Sequence, residues 1–190
     1  AGRGDVAAGG WLANLARQFG EAIDGRESLR AVVGEKTPDP EKYRTVREPH
    51  ERGGLLVAAV FQAFLTIYAA RVEDLLRIAT NGRGVPEPGA LHPDLVNRMA
   101  HEAAKSAGHV MTMCIRSLDY LPPVEPNFGD FLRALITADT VLVPDDTRHY
   151  RLAIIDAFRQ WGLYPRDVST LSEASLQWRG PSAEEGDLIG

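Results

Sequence analysis

The apolar stretch Leu55–Ala70, with the sequence LLVAAVFQAFLTIYAA, decides the fold of this chain. Only Gln62 and Thr66 interrupt it, and the charged residues Arg71 and Glu73 follow it directly. A helix that spans a bilayer needs roughly 20 apolar residues, so this stretch is too short to cross a membrane. It is typical instead of a helix that is buried on nearly all sides at the centre of a bundle.

Helical spacing of apolar residues predicts further helices on both sides of the central one. They are Trp11–Ala22, Ser28–Val33, a long helix that begins at Pro93 and ends before Pro122, Phe128–Val143, about Arg148–Trp161, and a short one at the capping-box pattern Thr170-Leu171-Ser172-Glu173. The sequence contains no convincing strand pattern. The predicted fold is therefore all-α, a bundle of five or six helices around one central buried hydrophobic helix.

The ends of these helices are marked by residues that favour helix termini. His92 and Asn127 are predicted N-caps, Asp145 or Asp146 is expected to cap the helix that follows, and Gly162 is placed to end it. Charged residues and prolines without periodicity predict a loop over Lys36–Pro49.

The large apolar side chains at inward positions form the predicted core. Truncating any one of them to alanine is expected to cost about 3 kcal/mol of unfolding free energy. They are Phe61, Phe64, Leu65, Ile115, Phe131, Leu135, Ile155 and Phe158, and Leu152 is also expected to point inward.

Composition restricts the class of protein. The 190 residues carry a formal net charge of −5, which argues against a general nucleic-acid binder, because such proteins present a basic face. Cys114 is the single cysteine, so no internal disulfide can form, and residues 1–10 contain no apolar signal sequence. These features favour a cytoplasmic location over a secreted one.

One stretch is reminiscent of a zinc site. The zincin pattern HExxH places two histidines four residues apart on one helix face, but here His101-Glu102 is followed by Lys105 at the position of the second histidine. His109 stands two turns away from His101, about 12 Å along the helix axis, which is too far for both to bind one ion. A solvated helix face is the favoured interpretation of His101–Lys105.

The remaining titratable residues have structural interpretations. Cys114 lies on the apolar face of its helix, so a buried, inert thiol is favoured over a nucleophile. His149 is expected to be exposed in the first turn of its helix. The pair Asp145-Asp146 is explained by capping and by the helix dipole.

His50 differs from these residues because it stands at the end of the charged loop, directly before the most buried helix. A side chain held in this way can project from a rigid frame into a cleft, as catalytic residues often do. Gly53 and Gly54 follow it and allow another backbone to approach closely. An exposed loop histidine without function remains the alternative.

Four stretches, in order, resemble the C-terminal helical domain of thermolysin-like (gluzincin) zinc metallopeptidases. The family has a histidine before the central helix of that domain, then helices with similar endings. The matching stretches are His50-x-x-Gly53-Gly54-LLVAAVF, Val110-MTMCIRSLD-Tyr120-LPP, Asn127-Phe128-GD-Phe131-LR-Ala134-LIT-Ala138-D and Ile155-D-Ala157-Phe158-RQ-Trp161-Gly162-L.

The resemblance implies a role for His50. In such peptidases this histidine donates a hydrogen bond to the oxyanion that forms when water attacks the peptide carbonyl. The family has an aspartate a few residues earlier that orients the histidine, whereas Thr45 stands five residues before His50 in this chain. Glu48 is the possible orienting partner nearby.

The resemblance also limits the role of this chain. HExxH and the glutamate that serves as third zinc ligand come from upstream of the matching region in the family, and neither is found here. The chain alone is therefore predicted to bind no zinc tightly and to cleave no peptide. Zinc is expected in the full-length parent, whose N-terminal catalytic half and peptide substrate would be the partners of this domain.

These interpretations divide the chain into three parts. Residues 1–49 hold an N-terminal helix and the charged loop, residues 50–165 the bundle that resembles the peptidase domain, and residues 166–190 a short helix and a polar tail. The leading hypothesis is a fragment that forms one wall of a metallopeptidase cleft. The alternative is a non-catalytic helical interaction module that keeps the fold without the chemistry.

Overall fold

The structure is a computed structural model that describes residues 37–84 and 91–178, and every regular element in these ranges is helical. The elements are α1 (Lys42–Thr45), α2 (Pro49–Ala79), α3 (Pro93–Ser117), a 3₁₀ turn (Leu118–Tyr120), α4 (Phe128–Leu142), α5 (Tyr150–Gln160) and α6 (Glu173–Leu176). The predicted all-α class is confirmed. The predicted helices Trp11–Ala22 and Ser28–Val33 lie outside the described residues.

The central helix α2 packs against α5 and α3, while α4 packs against α3, α5 and α6. It begins at Pro49, so the prediction that the loop reaches Pro49 and the helix begins at Leu55 is wrong. Proline suits the first helical position, and the Glu48 carboxylate accepts a hydrogen bond from the backbone of Glu51. A further turn, α1, also lies within the stretch predicted as a loop.

By length and composition alone, α2 could cross a membrane. Half of its most apolar window is buried against the rest of the protein, however, and a core helix of a soluble bundle passes the same test. This burial favours the core helix, and the absence of a membrane span stays a prediction.

Local signals mark the starts of the other helices, in two cases with a cap residue other than the predicted one. The His92 imidazole accepts from the backbone of Asp94, and Asn127 forms a complete capping box with Asp130. Asp146 accepts from the first two backbone N–H groups of α5, although His149, with φ of 56°, is the residue at the cap position. The last helix α6 is capped by Ser172 rather than by Thr170, so the predicted capping box is shifted.

The core contains most of the predicted apolar residues, with two exceptions. Phe64, Leu135, Ile155 and Phe158 are buried, and Phe61, Leu65 and Phe131 are partly buried. Ile115 is 58% exposed and Leu152 is 50% exposed, so both predictions are wrong. The buried face of α3 passes through Val110, Met113 and Ser117. Ile115 is two residues from Met113 and therefore points roughly 200° away, towards solvent.

One side of the central helix remains open. Val57 is 43% exposed, although the residues on either side of it, Leu56 and Ala58, are half-buried and buried. The prediction of burial on nearly all sides is therefore wrong for this face of α2. The open side begins at the N-terminal end of the helix, where His50 lies.

Candidate functional site

His50 occupies the first turn of α2 and is exposed. Its position in a helix, rather than in a loop, fixes its backbone more firmly than the sequence predicts. Within residues 37–84 and 91–178, no hydrogen bond or ion pair engages its imidazole ring. The ring is therefore available to a group outside the described part of the chain.

Glu48, the predicted orienting partner of His50, and Thr45, which stands at the position of the family aspartate, both bond to backbone groups. Glu48 accepts a hydrogen bond of 2.6 Å from the N–H of Glu51, and this bond, with one from the backbone of His50, lowers the pKa of the Glu48 carboxyl. The Thr45 hydroxyl donates to the carbonyl of Lys42 at 3.1 Å. Glu48 is thus a helix cap close to His50, and its charge adds an electrostatic attraction to the imidazole.

The helical face that carries His50 continues into an apolar groove. Residues 50, 54, 57, 61 and 64 recur at helical spacing, which places them along one side of α2. A Cβ atom added at Gly53 would meet none of the described residues within 4 Å, so this part of the structure leaves the surface beside His50 uncovered. Along this side of α2, His50 is therefore followed first by glycine, which has no side chain, and then by apolar side chains.

The groove lies between α2 and α3, close to Phe131 of α4, and has a volume of about 580 Å³. Its lining includes Val57, Val60, Val110, Met111 and Cys114. Burial raises the pKa of the Cys114 thiol above its ordinary value. A half-buried thiol with a raised pKa agrees with the inert role expected for it.

The stretch that is reminiscent of HExxH has a different role from the solvated face predicted for it. His101 and Lys105 are exposed, but Glu102 is buried with 5% exposure. Its carboxylate pairs with Arg71 of the central helix and lies 3.4 Å from Arg98 and 3.6 Å from Lys105. The prediction of a solvated helix face is therefore wrong at Glu102, where the pattern marks an internal ion pair.

A second polar network lies next to this ion pair. His109 Nε2 is 2.8 Å from Asp139 Oδ1, and the other oxygen of Asp139 accepts from Arg151 at 3.0 Å. Arg151 also donates to Glu173 at 2.6 Å and to the carbonyl of Val143 at 2.8 Å. Its buried guanidinium thereby satisfies groups on α4, α6 and the α4–α5 connection. Such a network stabilises and orients helices.

These groups do not form a metal site. Within the described ranges, no three His, Cys, Asp or Glu side chains come together as metal ligands. The Glu102 carboxylate is compensated by three cations, and His109 is paired with a carboxylate that is already shared with Arg151. The described residues therefore do not fit the zinc that the resemblance implies for a complete peptidase.

Comparisons with known proteins return no assignment. No protein-family model matches the chain, and no curated protein or solved structure is similar to it at a significant level.

Proposed function

We propose that this chain forms the helical wall of a peptidase cleft and that His50 donates a hydrogen bond to the oxyanion of the reacting peptide. The observation that carries the proposal is the position of His50. It is an exposed imidazole in the first turn of the long central helix, with no hydrogen-bond partner among the described residues. The resemblance to thermolysin-like peptidases supplies the reaction, and the geometry supports the role of the histidine within it.

Rigid placement is what an oxyanion donor requires. The donor must already stand where negative charge develops, because reorganisation during the reaction would cost free energy. His50 is anchored to a helix of 31 residues whose buried side contacts α3 and α5. Pro49 and the Glu48 cap further restrict the first turn. The backbone that holds His50 is therefore well ordered before any substrate binds.

The exposed face of α2 is an observation in favour of a partner that covers it. In this proposal, a catalytic half supplied by the parent protein would approach at Gly53 and cover the groove that includes Val57. Glycine within a helix destabilises it by roughly 0.5–1 kcal/mol relative to alanine, and no neighbour among residues 37–84 and 91–178 requires its small size here. Close approach by a second chain segment explains why glycine is present. The zinc ligands of the complete enzyme would belong to that other half.

The test uses the full-length parent protein. His50→Ala should lower turnover by about 100- to 1,000-fold, the usual cost of removing one oxyanion donor, with unchanged folding and zinc content. His101→Ala is the matched control, because His101 is an exposed histidine on α3 outside this face. Full activity in His50→Ala, or an equal loss in His101→Ala, would contradict the proposal.

A non-catalytic helical interaction module is the second candidate function. The apolar groove favours it, since a partner helix with an apolar stripe binds in grooves of this kind. In that case substitution of Val57 or Met111 by a charged residue would abolish partner binding, whereas His50→Ala would leave it unchanged. The two variants therefore separate the candidates.

A further inference from the structure

A second cavity lies at the opposite side of the N-terminal end of α2, away from the His50 face. It is enclosed by α1, the start of α2, the start of α4 and the segment that follows α5, and its volume is about 450 Å³. We call it the arginine cleft. The residues that give it its chemical character are Tyr43, Arg44, Arg52, Asp130, Tyr164 and Arg166.

The backbone of the arginine cleft is closely packed. A Cβ atom added at Gly129 would lie 2.6 Å from the backbone nitrogen of Pro165, so only glycine allows α4 to approach the segment after α5 this closely. Tyr43 packs on Phe128, with ring centroids 5.4 Å apart. These contacts set the spacing of the walls from which the arginines project. The cavity is therefore a preformed feature of the fold.

The charges in the cleft are unevenly compensated. Arg44 donates to both oxygens of Glu41 at 2.9 Å, and Asp167 pairs with Arg133 at 3.3 Å. Arg52 stacks on the Tyr43 ring at 4.5 Å, while Arg166 is exposed. Within the described ranges, neither of these last two guanidinium groups has a carboxylate partner.

The acidic residue that remains in the cleft is already satisfied. The Asp130 carboxylate accepts from the backbone and the side chain of Asn127, at 2.9 and 2.6 Å, in the capping box of α4. A carboxylate in the first turn of a helix is also stabilised by the helix dipole. Two cations, Arg52 and Arg166, are thus left to face the cavity in a chain whose overall net charge is −5.

We propose that the arginine cleft binds a ligand through a carboxylate or phosphate group held by Arg52 and Arg166. A guanidinium group presents a planar set of donors that matches two oxygens of such an anion. Stacking on Tyr43 fixes the plane of Arg52 and leaves its N–H edge available. The volume lies within the range of small-molecule sites, and Tyr164 adds a half-buried ring beside the anion. This inference does not depend on the proposed peptidase role.

Titration calorimetry on the full 190-residue chain tests the proposal. The probes are N-acetyl-alanyl-alanine as the free acid, the same dipeptide as the C-terminal amide, and inorganic phosphate. We expect saturable binding of the free acid or of phosphate, and no binding of the amide. Tighter binding of the free acid assigns the anion to a carboxylate ligand, and tighter binding of phosphate assigns it to a phosphorylated one.

Variants locate the binding to the cleft. Arg52→Gln and Arg166→Gln should each weaken the affinity by about tenfold, because each removes a charge-assisted interaction. Arg148→Gln is the matched control, since Arg148 is exposed in the connection between α4 and α5, whereas the cleft lies at the start of α4, about 20 Å away along that helix. Circular dichroism confirms that the variants are folded. Absence of saturable binding to every probe, or equal loss in Arg148→Gln, would overturn the proposal.

Discussion

Glu102 on α3 forms a buried ion pair with Arg71 on the central helix, and their side chains are 7% and 12% exposed. The same guanidinium donates a hydrogen bond to the hydroxyl of Tyr150 on α5. One cation therefore joins three helices at the end of the bundle away from His50. The desolvation of Arg71 lowers its pKa less than these two partners raise it, so the group remains charged.

Glu102→Gln should destabilise the protein by about 3 kcal/mol, because it leaves the buried Arg71 without its counter-charge. The substitution keeps the size of the side chain, so packing is little changed. Chemical denaturation measures the effect. Glu73→Gln, at an exposed position of α2, is the control and should change the unfolding free energy by less than about 0.5 kcal/mol.

The same pair predicts a pH dependence. Burial raises the pKa of Glu102, but Arg71, together with the charges of Lys105 and Arg98, outweighs this effect, so that the pKa lies below the ordinary 4.5. A carboxyl with a lowered pKa in the folded state stabilises the protein above the unfolded pKa and loses this effect as pH falls through the folded one. The difference in unfolding free energy between the unsubstituted chain and the Glu102→Gln variant should therefore be constant near neutrality and shrink below pH 4.5. A difference that persists at pH 3 would show that ionisation is not its source.

Phe158→Ala should cost about 3–5 kcal/mol of unfolding free energy, because its side chain is fully buried between α2, α4 and α5. Ile115→Ala should cost less than about 1 kcal/mol, since Ile115 is 58% exposed. Thermal and urea denaturation of both variants checks the contrast. An equal loss of unfolding free energy in the two variants would show that the outer face of α3 is covered.

Gly53→Ala should raise the unfolding free energy by about 0.5–1 kcal/mol, because alanine favours the helix and its Cβ would meet no neighbour in the part of the chain that the structure describes. In the full-length parent, the same variant should weaken the association of the two halves that the proposed function requires. Denaturation of the isolated chain and activity of the parent measure the two effects. If Gly53→Ala stabilises the isolated chain and leaves the activity of the full-length parent unchanged, no second chain segment approaches closely at Gly53.

Cys114 should react slowly with thiol reagents. Burial raises the pKa of its thiol, so the thiolate fraction near pH 7.5 is smaller than in free cysteine. We expect the rate with a disulfide reagent to be roughly tenfold lower than that of free cysteine and to recover fully in denaturant. A rate above that of free cysteine would instead indicate an activated nucleophile.

The sequence is sufficient to predict the helices but not the orientation of every side chain on them. Apolar spacing and the caps at His92 and Asn127 locate α3 and α4 within a few residues, because these signals are local. Ile115 is predicted at an inward position, yet it is 58% exposed. Its angular position relative to Met113 decides that the side chain points towards solvent. The helical period alone could therefore have excluded Ile115 from the core.

The polar networks were missed for a different reason. Glu102 lies between Met99 and Ser106 on the buried face of α3, so a charged residue within an apolar stripe was the available signal. Its partner Arg71 is 31 residues away in sequence, and pairings of this kind depend on how two helices pack. The same holds for the arginine cleft, whose walls come from four separate segments.

Leu176 is fully buried in the same cluster as Leu55, although 121 residues separate them in the chain. Synthesis at about 5–20 residues per second makes Leu55 available roughly 6 to 24 s before Leu176. During this interval, the hydrophobic cluster that contains both residues is incomplete. The nascent chain should therefore expose part of this apolar cluster to solvent until α6 has been made.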